Sequence, residues 1–312
     1  MSKVRTARRV EWPTVGLIAG LHVCFLTLTW FWTAVPLWLA LPLAAYLTGL
    51  YGSLQHEVIH GHPTPWRRLN EALVWPALLI WIPYGRYRSL HIEHHATNEL
   101  TDPYDDPESF YLDPNVWGRL RGPMKALYRF NNTLAGRLTV GPAISAARFW
   151  VCDARRLAAG DRDVMRAWGW HAPAAAAVFT WTWGVCGIAP WLYLLVFAYA
   201  GTALILLRSF AEHRAHDNRL ARTAIVETCP AIGLLFLNNN LHVVHHDQPE
   251  LAWYEIPAVY RRSRRDVLDR NGHYLIDGYF KLFRRYFFRP KEPVPHPLAG
   301  THTHQSSRHA AR

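Results

Sequence analysis

An all-α integral membrane protein is the fold class this sequence predicts, with four transmembrane helices as two hairpins and a cytoplasmic helical cap. Three observations lead there. Residues 12–55 form a run of 44 without Asp, Glu, Lys or Arg, and residues 167–207 form a second run of 41. Each run has a helix breaker near its middle, Pro36 in the first and Gly187 with Pro190 in the second. The remaining chain carries three tight histidine clusters, the first directly after one apolar run and the other two between or beyond the runs.

A crossing helix needs about 20 apolar residues, so each run is long enough for two crossings and a tight turn. No water reaches the hydrocarbon to satisfy loose backbone groups, so the runs must be helical there. The predicted crossings are about 13–32, 37–55, 170–187 and 190–208. Four crossings leave both termini and the long middle segment on one side, together with every charged residue. Lys3, Arg5, Arg8 and Arg9 precede the first crossing and mark that side as cytoplasmic, because positive residues are retained there. The first run leads straight into a second crossing, unlike the short apolar core of a cleaved leader. Shorter apolar stretches at 72–85 and 228–237 fall below spanning length. They are expected to lie in or dip into the cytoplasmic interface, with Trp75 and Trp81 at headgroup depth. Residues 1–290 read as a single membrane-embedded domain, and residues 291–312, rich in Pro, Ser, Thr and His, as a disordered tail.

Composition removes other classes. The chain of 312 residues is 50% hydrophobic and 18% charged, too apolar for a disordered chain. Cys24, Cys152, Cys186 and Cys229 are spaced too widely for a disulfide framework or a sulfur-based metal site. A formal net charge of +11 would suit a nucleic-acid binder, but the excess flanks the apolar runs and matches anionic lipid headgroups instead. No nucleic-acid partner is expected.

The 18 histidines carry the chemistry. The clusters are His56-Glu-Val-Ile-His60-Gly-His62, His91-Ile-Glu-His94-His95 and His242-Val-Val-His245-His246. Positions i, i+3 and i+4 share one helix face, so each cluster can turn two or three imidazoles toward one metal. At 18 in 312, a His-x-x-His-His motif arises by chance about 0.06 times per chain, and here there are two. Ordinary surface or hydrogen-bonded histidine is the bland alternative. It is the better reading for His22, His171, His216, His273, His296, His302, His304 and His309. The first cluster follows the second crossing, and Arg208-Ser-Phe-Ala-Glu-His213 follows the fourth, so both hairpins deliver histidines to the cytoplasmic face. Eight box histidines converge there, with His213 as a ninth. That number exceeds what one tetrahedral zinc can use and suits two metals with open positions. Imidazole by itself does not separate iron from zinc, copper or nickel.

The ordered set His-x-x-x-His, His-x-x-His-His and His-x-x-His-His resembles the integral-membrane fatty acid desaturases and their hydroxylase relatives, over roughly residues 50–257. The run Leu100-Thr-Asp-Pro-Tyr-Asp-Asp-Pro-Glu-Ser109 resembles that of the bacterial desaturases, which implies a bacterial inner membrane. The resemblance implies two iron ions, O2 as co-substrate, a fatty acyl lipid as substrate, and a separate ferredoxin- or cytochrome-type electron donor. It assigns His56, His60, His91, His94, His95, His242, His245 and His246 as metal ligands, with His213 as the family's extra histidine. His62 occupies a position that varies in the family and is a further candidate. The implied reaction is introduction of a double bond into an acyl chain, with hydroxylation or ketone formation on an alkane or carotenoid as the alternative. Removing hydrogen from an unactivated methylene needs a strong oxidant, which O2 activated at metals supplies.

An all-imidazole shell leaves the metal charge uncompensated, so carboxylates are expected to orient the rings. Glu57, Glu93, Asp102, Asp105, Asp106, Glu212 and Asp247 are candidates, each with a helix cap or solvated charge as its alternative. Asn238, Asn239 and Asn240 stand one turn before the third box, where one can hold a water on the metal or mark a polar helix boundary. Glu57, Asp102, Asp106, Glu212, Asn238 and Asn239 make up the predicted support.

Two other functions compete. His56-Glu57-Val58-Ile59-His60 matches a zinc-protease motif with Glu57 as general base, but that leaves two boxes and His213 unused. A metal transporter or sensor would place its ligands near the middle of the span, whereas these clusters stand at helix ends. No Cys-rich or haem-binding segment accompanies the boxes, hence the separate donor. The basic stretch Arg261, Arg262, Arg264 and Arg265 is a candidate surface for an acidic donor or for anionic lipid.

Overall fold

In the computed structural model, which describes residues 6–298, two apolar helices open the chain, α1 (Trp12–Trp30) and α2 (Leu37–Ile59). Pro13 sits in the first turn of α1, where its missing N–H removes no hydrogen bond. Trp12, Val23, Trp30, Leu37 and Trp38 are exposed, while Ile18, Leu21, Phe25, Ala40, Ala44 and Leu54 are buried. Apolar residues all round a helix require lipid, not water, on the open side.

The middle segment builds a helical cap. It holds α3 (Arg67–Leu73), α4 (Tyr84–Ala96), α5 (Pro114–Arg119), α6 (Gly122–Asn131), α7 (Leu134–Thr139) and α8 (Gly141–Ala158). Asp113 and Thr133 cap α5 and α7, their side-chain oxygens accepting from free first-turn amides. Next comes α9 (Arg162–Phe179), continued by a π-helical segment Thr180–Val185. Arg86 of α4 and Asp153 of α8 form a buried ion pair at 2.9 Å, and Trp168 Nε1 of α9 donates to the same carboxylate at 2.8 Å. That network pins α4 to its neighbours.

The chain then returns through α10 (Pro190–Tyr193), a second π-helical segment Leu194–Tyr199 and α11 (Ala200–Glu212). Among the described residues, three helices are long and apolar enough to cross a membrane: α1, α2 and the rod Pro190–Glu212. The crossing expected at 170–187 coincides with α9 and its extension. Arg162, Asp163 and Arg166 in its first turns, then Trp168, Trp170 and His171, leave it less apolar than the other three.

The rod packs most extensively on α2. A Cβ on Gly201 would fall 2.3 Å from Thr48 Oγ1 and 3.0 Å from the Gly49 amide nitrogen, so only glycine permits this approach. Thr48 Oγ1 donates to the Phe197 carbonyl at 2.7 Å and ties the seam. The stretch 72–85 packs against the apolar helices. Val74, Ala77 and Leu78 are buried, and the hydroxyls of Tyr51 and Tyr193 donate to the carbonyls of Val74 and Leu78 at 2.6 and 2.8 Å.

The last third contains β1 (Ile225–Glu227), α12 (Pro230–Leu235), α13 (His242–Asp247), α14 (Ile256–Arg270), β2 (Leu275–Asp277) and α15 (Tyr279–Tyr286). β1 and β2 pair in parallel, Ile225 opposite Leu275. Residues 291–298 are packed, which narrows the loose tail expected from 291 onward. Lys291 Nζ donates to the carbonyls of Phe210 and His213 at 2.7 Å each, satisfying the open end of α11. The His296 amide donates to the Leu112 carbonyl at 2.9 Å, and Val294 and His296 are buried. Lys3, Arg5, His302, His304 and His309 lie outside the described residues.

Candidate metal centre

Nine histidines meet in two adjacent clusters. His56, His60, His91, His95 and His245 each place one ring nitrogen within 4.8 Å of the others, and His94, His213, His242 and His246 do the same beside them. Helix geometry explains the division. Residues four apart return to nearly the same direction one turn on. His56 with His60 at the end of α2, and His91 with His95 on α4, therefore enter the first cluster as i, i+4 pairs. His242 and His246 on α13 enter the second in the same way. The odd member of each His-x-x-His-His, His94 or His245, turns into the opposite cluster. His213, extended at the end of α11, completes the second.

The ring nitrogens are close. His60 Nε2 lies 3.0 Å from His91 Nε2, and His245 Nε2 lies 3.0 Å from His95 Nε2. His242 Nε2 lies 3.1 Å from the Nε2 atoms of both His213 and His246. Nitrogens bound ~2.1 Å from one metal at right angles stand ~3.0 Å apart, so these separations fit the edges of a ligand cage. His94 Nε2 is buried with no hydrogen-bond partner, an arrangement that native structures avoid unless something fills the place. The donor set fits metal ions.

The outer ring nitrogens are held by other residues. His94 Nδ1–H donates to Asp106 at 2.8 Å, His91 Nδ1–H to Glu108 at 2.8 Å, and His242 Nδ1–H to Asn239 Oδ1 at 3.0 Å. Each bond keeps the proton on Nδ1 and leaves the Nε2 lone pair facing its cluster. Asp106 also accepts the Thr101 and Glu108 amides at 2.8 and 2.9 Å, which folds the acidic turn and aims Glu108 at His91. Asn239 lies between the clusters, its Nδ2 3.2 Å from His56 Nε2. Glu212 stands 3.3 Å from His242 Nδ1 and 2.9 Å from Arg208 Nε.

Charge differs from ring to ring. Burial, reinforced by neighbouring imidazoles, holds His60, His91, His95, His242, His245 and His246 far below the ordinary imidazole range. Burial likewise lowers His213 to about 3. For His94 burial pulls down too, but Glu108, Asp106 and Glu212 outweigh it and raise the ring to about 9. Without metal, a proton settles on His94. The carboxylate field that attracts it also favours a metal cation.

Of the predicted support, Asp106, Glu212 and Asn239 touch cluster histidines. Glu57, Asp102 and Asn238 do not. Glu57 Oε1 accepts the Trp253 amide at 2.9 Å, and Asp102 Oδ1 caps its own turn at the Tyr104 and Asp105 amides. Asn238 Nδ2 donates to the Trp253 carbonyl at 3.0 Å. Asn240 bonds the Val226 carbonyl, Asp247 pairs with Arg270, and Glu93 and Asp105 are exposed. His62 stands outside both clusters, grouped with Glu11 and Glu57. Glu108 was not among the predicted residues. It lies in the acidic run 100–109, but only the folded turn shows which acid faces His91. The basic stretch lies on α14, where Arg264 pairs with Glu227 at 2.7 Å and Arg261, Arg262 and Arg265 are exposed.

Compared with known protein families, residues 21–278 match the model described as fatty acid desaturase, a span that includes all nine histidines. No match is found among curated proteins.

Proposed function

The chain belongs to the fatty acid desaturase family, and from that premise we propose that it is an O2-dependent di-iron desaturase that introduces a double bond into a fatty acyl chain. The sorting of nine histidines into groups of five and four supports this reading most directly. His56, His60, His91, His95 and His245 would hold one iron, and His94, His213, His242 and His246 the other. Bound there, the irons with O2 and external electrons supply an oxidant able to take hydrogen from an unactivated methylene.

The chain's own residues prepare the site. Asp106, Glu108 and Asn239 keep protons on the outer ring nitrogens and fix ring orientation. Asp106, Glu108 and Glu212 gather negative charge beside the second cluster, offsetting cation charge that neutral imidazoles leave uncompensated. His56, His91, His94, His242 and His245 are at most 3% exposed, so water is held away from the reacting place. The clusters stand at the ends of α2 and α11, where an acyl chain lying in the bilayer approaches along those helices.

The same reading places four crossings in a bacterial inner membrane, with α9 and its extension as the third and the histidines on the cytoplasmic side. Electrons come from a separate acidic protein. Exposed arginines on α14, which packs on α13 of the third box, support docking there. A zinc protease finds less support, because Glu57 faces Trp253 and His62 instead of a cluster. The test is lipid analysis of cells expressing the protein beside cells expressing His245→Ala. A new unsaturated fatty acid in the first and not the second is expected; identical lipid profiles reject the reaction.

A further inference from the structure

A third group of metal-ligating side chains lies outside the two histidine clusters. We propose that Glu11, Glu57 and His62 form a separate site for one divalent transition-metal cation, clasping the start of α1 to the end of α2. One donor atom from each lies within 4.8 Å of the other two. His62 Nδ1 is 2.8 Å from Glu11 Oε1 and 2.9 Å from Glu11 Oε2, which fixes its proton on that side and makes Glu11 the support of the ring, leaving Nε2 and Glu57 to meet the cation. Its Nε2 faces Glu57 Oε1 at 3.9 Å and is buried without a hydrogen-bond partner. His62 is 3% exposed and Glu57 6%.

Charge argues for a cation. Two carboxylates are gathered here, and among the described residues neither has a Lys or Arg ion-pair partner; both face His62, whose extra proton a metal cation would replace. Burying like charges together is expensive without a compensating cation. Two carboxylates and a divalent ion sum to zero, and the imidazole excludes calcium and magnesium, which seek all-oxygen shells. Zinc, manganese, cobalt or iron(II) fits. Glu57 follows His56 directly, but one residue along a helix is about 100° around it, so the two side chains serve different sites. Trp253 closes the group, its amide donating to Glu57 at 2.9 Å and its indole to Thr14 at 3.1 Å. A cation here steadies the last turn of α2, which carries His56 and His60.

The full-length protein in detergent, stripped with chelator and dialysed against zinc, tests this by metal counted per chain. Glu11→Gln and His62→Gln are each expected to hold one zinc fewer than wild type. Failure of the nine-histidine reading would lower the wild-type total yet preserve that difference of one. Failure of the clasp would lower the wild-type total by one and erase the difference. Since a misfolded variant would also shed cluster metals, Glu11→Asp provides a second arm, keeping the charge but withdrawing the carboxylate by one methylene. It is expected to weaken one zinc at least about 10-fold. Equal counts in wild type and both glutamine variants, or unchanged affinity in Glu11→Asp, overturns the site.

Discussion

α4 and α13 carry the same His-x-x-His-His motif and divide it alike between the clusters, yet they are held by different means. α4 is a helix of 13 residues fixed by the buried Arg86–Asp153 pair, and its rings lean on two acids, Asp106 and Glu108. α13 has only six residues, is held through buried Val243 and Val244, and its His242 leans on the neutral amide of Asn239. Spacing along a helix therefore settles which rings can share a metal. The partners that aim the rings come from elsewhere and give the two boxes different charge.

The largest effects should come from the odd member of each box. His94→Ala and His245→Ala should each abolish turnover and remove about one metal, from opposite clusters, with helix content unchanged by circular dichroism. Activity retained in either contradicts its place as a ligand.

Next come the ring supports. Asp106→Asn should weaken metal binding about 10–100-fold, because the amide cannot accept from both His94 and the Thr101 amide. The Glu108 side chain is 33% exposed, so water can replace it, and Glu108→Gln should cost less than about 10-fold. The opposite ranking, measured by metal titration, would break the link between burial and support.

Acid should act more on rings like those of α13. Histidines held low in the fold take protons only when unfolded, so stability is lost as pH falls below about 6.5. His94, raised to about 9, contributes stability that is complete below pH 6.5 and fades toward 9. Across pH 6.5 to 5.5, His94 thus adds no slope while His242, His245 and His246 each remove up to about 1.4 kcal/mol. The Tm of metal-free protein should fall across that interval; a flat or rising Tm would contradict the assignment.

A smaller loss follows from the seam between α2 and the rod, which brings His56, His60 and His213 to one end. Gly201→Ala should destabilise by about 1–3 kcal/mol in denaturant unfolding while keeping the metal count. His302→Ala, outside the described residues, should change neither metal count nor turnover.

Much of this protein was legible along the chain. Apolar length and the spacing of histidines are local properties, so α1, α2, the rod Pro190–Glu212 and all nine clustered histidines could be read directly. The expected crossing at 170–187 was harder, because its helix begins among charges at Arg162. Only the tertiary structure decided which ring joins which cluster, that Glu108 and not Asp102 faces a histidine, and that Glu57 turns from its own motif toward His62. It also decided that Lys291 closes the end of α11 and that Val294 and His296 pair with Leu112. The reason is physical: these contacts join residues far apart in sequence, and no spacing rule encodes where one turn's carboxylate meets another helix's imidazole.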